Sequence, residues 1–244
     1  GKMAFASAGA FTVGETGLEG EARVATAPGG PANAPFIGAQ EHLPQAYAVV
    51  RGFVGAAEAD ELNAFFAGSE GREAGLRRTT FDGEDLPEAA AEAAAAAPDQ
   101  PLVAQFYQQP GPFEARFPAV FSRVLALKDA FGARLGLEAD ELDDITYPND
   151  IRHITYHAGM SCPWHLDDPR SSFNTVVLLS TPGVDFEGGE LQVQRIDPTP
   201  VKLERGDAVV YTTPKVEHAV TELERGERRI VLVELRRQSI AAEP

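Results

Sequence analysis

The chain has 244 residues, of which 43% are hydrophobic and 24% are charged. This balance is typical of a globular protein with enough apolar material for one large core. The 21 Lys and Arg residues against 37 Asp and Glu give a formal net charge of −16 at pH 7. A surface that negative repels phosphate groups, so we expect neither nucleic acid nor an anionic membrane as a partner. The single cysteine, Cys162, excludes an intramolecular disulfide. It is compatible with a cytoplasmic location without establishing one.

The N-terminal part of the chain is poor in large apolar residues. Residues 1–40 are rich in Gly, Ala, Pro and Thr and have no sustained period, which predicts a flexible arm. The small-residue stretch 4–13 lacks the leucine-rich centre of a signal peptide, so we assign it to the same arm. Residues 41–146 are interpreted as a helical support region. It starts with a strand over 48–54 and a helix over 57–67 that places four apolar residues on one face: Ala59, Leu62, Phe65 and Phe66.

Two further helices are expected in the support region. Residues 69–86 are interpreted as a charged loop, and Pro87 then precedes an alanine-rich helix that stops before Pro98. A longer helix is predicted over 114–135, where large apolar residues recur at three- and four-residue steps and Gly136 follows the end. Because its apolar face is continuous, this second helix is expected to pack on the core.

The period of the apolar residues changes from about 3.6 to 2 at Ile151, which predicts strands from there onward. Gly, Pro and Asp turn signals divide the segment into seven short strands. They are 151–157, 174–180, 190–195, 200–203, 207–212, 216–222 and 229–235. The chain is therefore interpreted as an α+β protein with a mainly β core, a sandwich or barrel, over 147–237 and a short tail over 238–244.

The strongest chemical signal is a His-x-Asp motif followed by a distant histidine. His165 and Asp167 are two residues apart, so on an extended segment both side chains project to the same side and can bind one metal ion. His218 lies in a second strand-like run. Two histidines and one carboxylate form the facial triad of non-haem Fe(II) oxygenases. A His-x-Asp tripeptide alone also arises often by chance.

Four further motifs make the chain similar to the Fe(II)/2-oxoglutarate dioxygenases, in the branch of the prolyl 4-hydroxylases. The resemblance covers about 147–237 and depends on a Tyr-x-x-Gly at 156–159, a Gly-Gly-Glu-Leu at 188–191, a Gly-then-apolar strand at 206–211 and a basic residue, Arg228, ten residues after His218. It implies a double-stranded β-helix, or jelly roll, buttressed by the N-terminal helices. It also implies Fe(II), 2-oxoglutarate and O2 as cofactor and cosubstrates, hydroxylation of an aliphatic C–H bond, and a role for ascorbate as in relatives.

The resemblance also implies roles for other residues. Arg228 would bind the distal carboxylate of 2-oxoglutarate, since a planar guanidinium pairs with a carboxylate in a bidentate manner. Strand parity does not separate Arg228 from Arg229, and only the family spacing favours the former. Tyr156 is the candidate for a hydrogen bond to the cosubstrate. Trp164 and Arg170 flank the motif and are candidate substrate contacts.

Several alternatives remain open at this level. Cys162 precedes His165 by three residues, but a thiolate selects zinc or copper, so we do not count it as a ligand. His153 and His157 lie about 13 Å apart along one strand and cannot share an ion. Asp167 argues against a halogenase, which lacks this carboxylate. A catalytically silent metal-binding jelly-roll module is the alternative function. The sequence does not determine the substrate, which could be a peptidyl proline, a free amino acid or another metabolite. It does not determine the oligomeric state either.

Overall fold

A computed structural model of the chain describes residues 9–13, 18–25, 45–81, 83–96, 99–107, 111–193, 198–213 and 215–241. Its helices are α1 (Ala56–Ala67), α2 (Ser69–Glu73), α3 (Glu88–Ala96), α4 (Pro112–Arg116), α5 (Pro118–Phe131), α6 (Ala139–Asp144) and α7 (Gln238–Ala241). Within these ranges no helix combines the length and the apolar character that crossing a bilayer would require.

The strands form two antiparallel sheets. They are β1 (Gly9–Val13), β2 (Leu18–Ala25), β3 (Gln45–Val50), β4 (Arg77–Thr79), β5 (Leu102–Tyr107), β6 (Ile145–His157), β7 (Cys162–His165), β8 (Phe173–Leu178), β9 (Phe186–Gly188), β10 (Leu191–Val193), β11 (Thr199–Val201), β12 (Ala208–Thr212), β13 (His218–Val220) and β14 (Leu223–Arg237). The large sheet has the order β1-β2-β3-β12-β8-β14-β6-β5-β4, with β9 paired to β14. The small sheet has the order β11-β10-β13-β7.

Alternating residues of the large sheet fill two separate apolar cores. Val177, Val210 and Val233 point to one face, where they pack with residues of α1, α4 and α5. Their neighbours Val176, Val209 and Leu232 point to the other face and pack with the small sheet. This is the expected consequence of a period of two in strands that are buried on both sides. The large sheet thus separates a helical layer from a sandwich interior.

The predicted fold class, a mainly β jelly-roll core with helical support, is confirmed. Each of the seven predicted strands has a counterpart, in β6, β8 and β10 to β14, with ends that differ by up to six residues, while residues 194–195 of the third predicted strand lie outside the described part of the chain. The sequence analysis missed β7 and β9, which have four and three residues. Strands that short carry too few residues to establish an alternating pattern.

The long helix predicted over 114–135 is divided into α4 and α5. The division falls at Phe117 and Pro118. A proline has no N–H for the helical hydrogen bond and disfavours helical geometry at the preceding residue, so the break follows from the sequence itself. Pro118 then begins α5, where its missing donor costs nothing.

Two described parts of the segment that was predicted as a flexible arm, 1–40, have regular secondary structure. Residues 9–13 and 18–25 form the strands β1 and β2, and β2 pairs with β3 at the edge of the large sheet. A strand added at a sheet edge satisfies its backbone groups by pairing, so it does not require the apolar alternation that we looked for. The strand predicted at the start of the support region 41–146 is present as β3, but β4 and β5 were not predicted, and α2 and β4 lie where a charged loop was expected over 69–86.

His153 on β6 is buried against the helical layer. Its ring stacks on Phe66 with centroids 5.3 Å apart, and its Nε2 lies 3.0 Å from Oδ1 of Asn63 on α1. Desolvation by burial, with repulsion from Arg229, lowers the pKa of His153 to about 3. The imidazole is therefore neutral in the folded protein at all but strongly acidic pH.

We expect this neutral histidine to make folding dependent on pH. Below the ordinary histidine pKa of about 6.5 the unfolded chain binds a proton that the folded protein does not, so stability falls by up to about 1.4 kcal/mol per pH unit as pH decreases. His153→Gln should lose this part of the dependence. Urea unfolding of both proteins between about pH 7.5 and pH 5 measures it. Parallel pH profiles would contradict the assignment of a neutral His153.

Candidate metal centre

The two histidines of the motif are brought together by strand pairing. His165 ends β7 and His218 begins β13, and these strands are antiparallel with His165 directly opposite His218. Their ring centroids are 4.3 Å apart. Asp167 follows β7 by two residues and turns its carboxylate toward the same point. His165 and Asp167 of the local motif and His218 of a distant strand therefore form a single cluster.

The ligand atoms are close enough to share one ion. Nε2 of His165 lies 3.4 Å from Oδ1 of Asp167, and Nε2 of His218 lies 3.6 Å from the same oxygen. The three ligand atoms all lie within 4.8 Å of one another. Across the described ranges, this is the one such group of three His, Cys, Asp or Glu residues.

The other ring nitrogens fix the orientation of both imidazoles. Nδ1 of His165 lies 2.8 Å from the carbonyl oxygen of Pro163, and Nδ1 of His218 lies 3.1 Å from that of Val216. A carbonyl oxygen only accepts hydrogen bonds, so each Nδ1 carries the proton and donates it. In the neutral ring this leaves the Nε2 lone pair for a metal ion, the usual arrangement of a metal-binding histidine.

The carboxylate of Asp167 has its two oxygens in different environments. Oδ1 faces the histidines, whereas Oδ2 accepts hydrogen bonds from the hydroxyl of Tyr211 and from Nδ2 of Asn174, both at 2.7 Å. Sequence reasoning missed both donors. Tyr211 was included only as the last residue of the apolar strand motif at 206–211. Asn174 was the first residue of a predicted strand, and no feature of the sequence marked it as a functional residue.

Burial and hydrogen bonding shift the pKa values of Asp167 and His165 in opposite directions. Desolvation alone would raise the pKa of Asp167, but the hydrogen bond with His165 and the attraction of His218 hold it well below its usual range. Burial lowers the pKa of His218. For His165, burial also acts to lower the pKa, but hydrogen bonds with Asp167 and Cys162 outweigh it and raise the pKa to about 10.

A cavity next to the triad extends to a buried arginine. Its lining includes Arg228 and Tyr156 as well as the three cluster residues. Arg228 is 2% exposed, its guanidinium carbon lies 5.5 Å from the centre of the Tyr156 ring, and its Nη1 has no hydrogen-bond partner among the described residues. Burial lowers the pKa of Arg228, yet a guanidinium remains charged. The cavity thus holds a buried guanidinium with at least one nitrogen, Nη1, that has no partner in the described part of the chain.

The next residue, Arg229, points to the opposite face of the sheet. Its side chain is 40% exposed and pairs with Glu227, which is the orientation expected of a neighbour along a strand. Space for Arg228 depends on the turn before β10. A Cβ on Gly189, which has a φ of +61°, would lie 2.6 Å from Cδ1 of Leu223 and 3.1 Å from Cδ of Arg228.

The remaining predicted site residues, Trp164 and Arg170, lie beside the ligand motif along the chain. Trp164 is half-buried, and Arg170 is exposed and binds the carboxylate of Asp168 through Nε and Nη2. Neither residue lines the cavity, whereas Phe81 and Arg152 do and were not anticipated. Sγ of Cys162 lies 3.5 Å from Nδ1 of His165, which is the ring nitrogen turned away from the ligand cluster.

The donor set fits Fe(II). Two imidazole nitrogens and one carboxylate oxygen on one side of the ion form the facial triad, which leaves adjacent positions open for other ligands. The unpaired guanidinium of Arg228 in the same cavity fits an anionic group of a bound small molecule. Both observations agree with the cofactor and cosubstrate that the sequence implied.

Comparisons with known proteins point to the same class. Residues 151–234 match the sequence model of the 2OG-Fe(II) oxygenase superfamily. A PKHD-type hydroxylase of Prochlorococcus marinus (strain NATL1A) is 33% identical over 98 residues, which are 36% of this chain and 43% of that protein. A PKHD-type hydroxylase of Maricaulis maris (strain MCS10) is 39% identical over 83 residues, 32% of this chain and 37% of that protein. The chain thus spans about two fifths of the length of these relatives.

A solved structure shares the fold. The prolyl hydroxylase of Trichoplax adhaerens, in complex with a peptide fragment of the hypoxia inducible factor oxygen degradation domain, has a TM-score of 0.53. It is 11% identical in sequence, and the match covers 81% of this chain and 87% of that one. The shared fold and the His-Asp-His cluster agree with the architecture of the non-haem oxygenases. Residues 151–234 are thus similar to the 2OG-Fe(II) oxygenase superfamily, and the fold around them is similar to that of a prolyl hydroxylase.

We expect Asp167→Ala to abolish binding of a divalent metal ion, because the two histidines alone do not form the triad. Asp168→Ala is the matched control, since that carboxylate is occupied by Arg170. Titration of the metal-free proteins with Fe(II) under nitrogen, followed by calorimetry, measures the affinities. If Asp168→Ala were the variant that loses the metal, the ligand assignment would be wrong.

Proposed function

We propose that this protein is an Fe(II)- and 2-oxoglutarate-dependent dioxygenase that hydroxylates an aliphatic C–H bond. The observation that carries this proposal is the presence, in one cavity, of the His165, Asp167 and His218 cluster and the unpaired guanidinium of Arg228. A metal site without the arginine would equally suit a structural ion. The arginine adds a position for a carboxylate at the far end of the cavity.

In this proposal the three cluster residues hold Fe(II), which supplies the oxidising chemistry together with 2-oxoglutarate and O2. Arg228 binds the distal carboxylate of 2-oxoglutarate through two parallel hydrogen bonds. The Tyr156 ring packs on the guanidinium and keeps it in place. Apolar side chains of the cavity, such as Ile154, Val176 and Leu232, exclude water from the reacting groups. Ascorbate is proposed as a supporting reductant.

The substrate proposed is a peptidyl proline or a small amino-acid-like molecule. The support is the likeness to hydroxylases and to a prolyl hydroxylase fold that, in another protein, binds a peptide. Trp164 and Arg170 at the rim are proposed to contact this substrate. Leu166, which lies between two of the ligands, is 40% exposed and adds apolar surface at the same rim.

An anaerobic titration with Fe(II) and 2-oxoglutarate tests the cofactor assignment. A visible charge-transfer band is expected when the keto acid binds the metal. Its absence would favour a catalytically silent binding module instead. A mass-spectrometric screen of proline-rich peptides against free amino acids then separates the substrate classes, because a hydroxylated product gains the mass of one oxygen atom.

We expect Arg228→Ala to weaken 2-oxoglutarate binding by roughly two to three orders of magnitude. Removing one partner of a buried ion pair typically costs about 3–5 kcal/mol, at about 1.4 kcal/mol per tenfold. Arg228→Lys should retain part of the affinity, since a point charge remains without the bidentate geometry. Succinate release at increasing 2-oxoglutarate concentrations measures the effect.

Arg229→Ala is the matched control for this prediction, because its side chain lies on the other face of the sheet. It should leave the concentration dependence for 2-oxoglutarate close to that of the wild type, and none of the variants should alter Fe(II) affinity. A loss of 2-oxoglutarate binding in Arg229→Ala rather than in Arg228→Ala would overturn the assignment.

A further inference from the structure

A row of polar side chains crosses the large sheet behind the metal centre. Strand register places Tyr211 on β12 directly opposite Asn174 on β8, and Asn174 directly opposite Glu234 on β14. We call these three residues the polar row. They are 2%, 0% and 2% exposed, respectively. The other inward-facing residues of these strands are mostly apolar, so the row interrupts an otherwise hydrophobic interior.

Asn174 connects the metal carboxylate to the far end of the row. Its Nδ2 lies 2.7 Å from Oδ2 of Asp167 and 3.4 Å from Oε1 of Glu234. A carboxamide nitrogen has two N–H groups, so one can be directed to each carboxyl group. The opposite orientation would turn the carbonyl oxygen of Asn174 toward Oδ2 of Asp167, which is ionised and can only accept. The carboxyl groups on its two sides therefore determine how the amide is turned.

In the described part of the chain, Glu234 has no close ionic partner that would account for its burial. The nearest cation is Nη2 of Arg152, 3.9 Å from Oε2, while Nε of Arg152 binds Asp150 at 2.6 Å. Oε2 of Glu234 has no hydrogen-bond partner among the described residues. A buried carboxyl group this poorly compensated costs stability compared with an apolar side chain. The stability of the fold alone therefore gives no reason for a carboxyl group at this position.

We infer that Glu234 and Asn174 are positioning residues of the metal centre, a conclusion that rests on the proposed function. Glu234 accepts from Asn174 and fixes the plane of its amide. Asn174, together with Tyr211, then holds Oδ2 of Asp167, so that Oδ1 alone is presented to the metal ion. Partners of metal ligands orient them in this way, and their removal typically weakens metal binding by about 10–100-fold.

The experiment measures metal affinity rather than turnover, with Co(II) as the probe because its visible spectrum reports both binding and coordination geometry. Glu234→Leu should bind Co(II) about tenfold more weakly than the wild type. Glu234→Gln should retain the affinity, since its amide oxygen can accept the same hydrogen bond. Asn174→Ala should weaken binding at least as much as Glu234→Leu. The double variant should be no weaker than Asn174→Ala, because Glu234 acts through Asn174.

Thr175→Val is the matched control. Thr175 is adjacent to Asn174 and fully buried, with a hydroxyl that has no hydrogen-bond partner in the described part of the chain, but it lies opposite Val210 and Val233, which face the helical layer. Its Co(II) affinity and spectrum should match those of the wild type. Tyr211→Phe removes a single hydroxyl and tests the same oxygen of Asp167 if Asn174→Ala does not fold.

Each result has a distinct consequence. Unchanged affinity and spectrum in Glu234→Leu, or additive losses in the double variant, would overturn the inference while leaving the proposed function in place. An equal loss in Thr175→Val would show a general effect of core substitution and would also overturn it. A wild-type protein that binds no divalent ion would overturn both the inference and the proposed function.

Discussion

The buried carboxylate of Asp167 is the constraint on which the rest of the interior depends. A charge that is removed from water must be matched by cations or hydrogen-bond donors, or it destabilises the fold. Here the histidines lie beside Oδ1, and Tyr211 and Asn174 bind Oδ2. These partners come from four separate strands. A slip of one residue in any of those strands would turn its partner to the other face of its sheet.

The helical layer follows from the same geometry. Adjacent residues of a strand point to opposite faces of the sheet. Since Tyr156 and Arg228 point toward the cavity, their neighbours Thr155 and Arg229 point away from it. The second face is also largely apolar and must be covered. Helices α1, α4 and α5 cover it with a separate core. The candidate metal site thus lies between two sheets, while the helices stabilise the large sheet from outside.

The sequence predicts what depends on local spacing. His165 and Asp167 are related by the period of a strand, and the helical faces follow from steps of three and four residues. Pairing between distant strands is not encoded in such spacing. The sequence alone therefore could not relate Tyr211 or Asn174 to Asp167, since each becomes a partner only through the register of β8 and β12. The choice between Arg228 and Arg229 was also beyond local spacing. Both faces of β14 carry apolar residues, so the pattern of the strand does not show which face is turned to the cavity, and only family spacing favoured Arg228.

Arg228 gives the structure a link between stability and ligand binding. A buried guanidinium with an unsatisfied Nη1 destabilises the ligand-free fold, and an apolar residue would pack there at lower cost. A dicarboxylate that pairs with it removes this cost only in the folded state, so its binding stabilises the fold as well as filling the cavity. A neutral molecule of the same shape would leave the cation unpaired. In the proposed function, selectivity for an anionic cosubstrate would therefore arise from a pairing that the described residues do not supply to Nη1 of Arg228, in the same way that Asp167 depends on donors supplied by other strands.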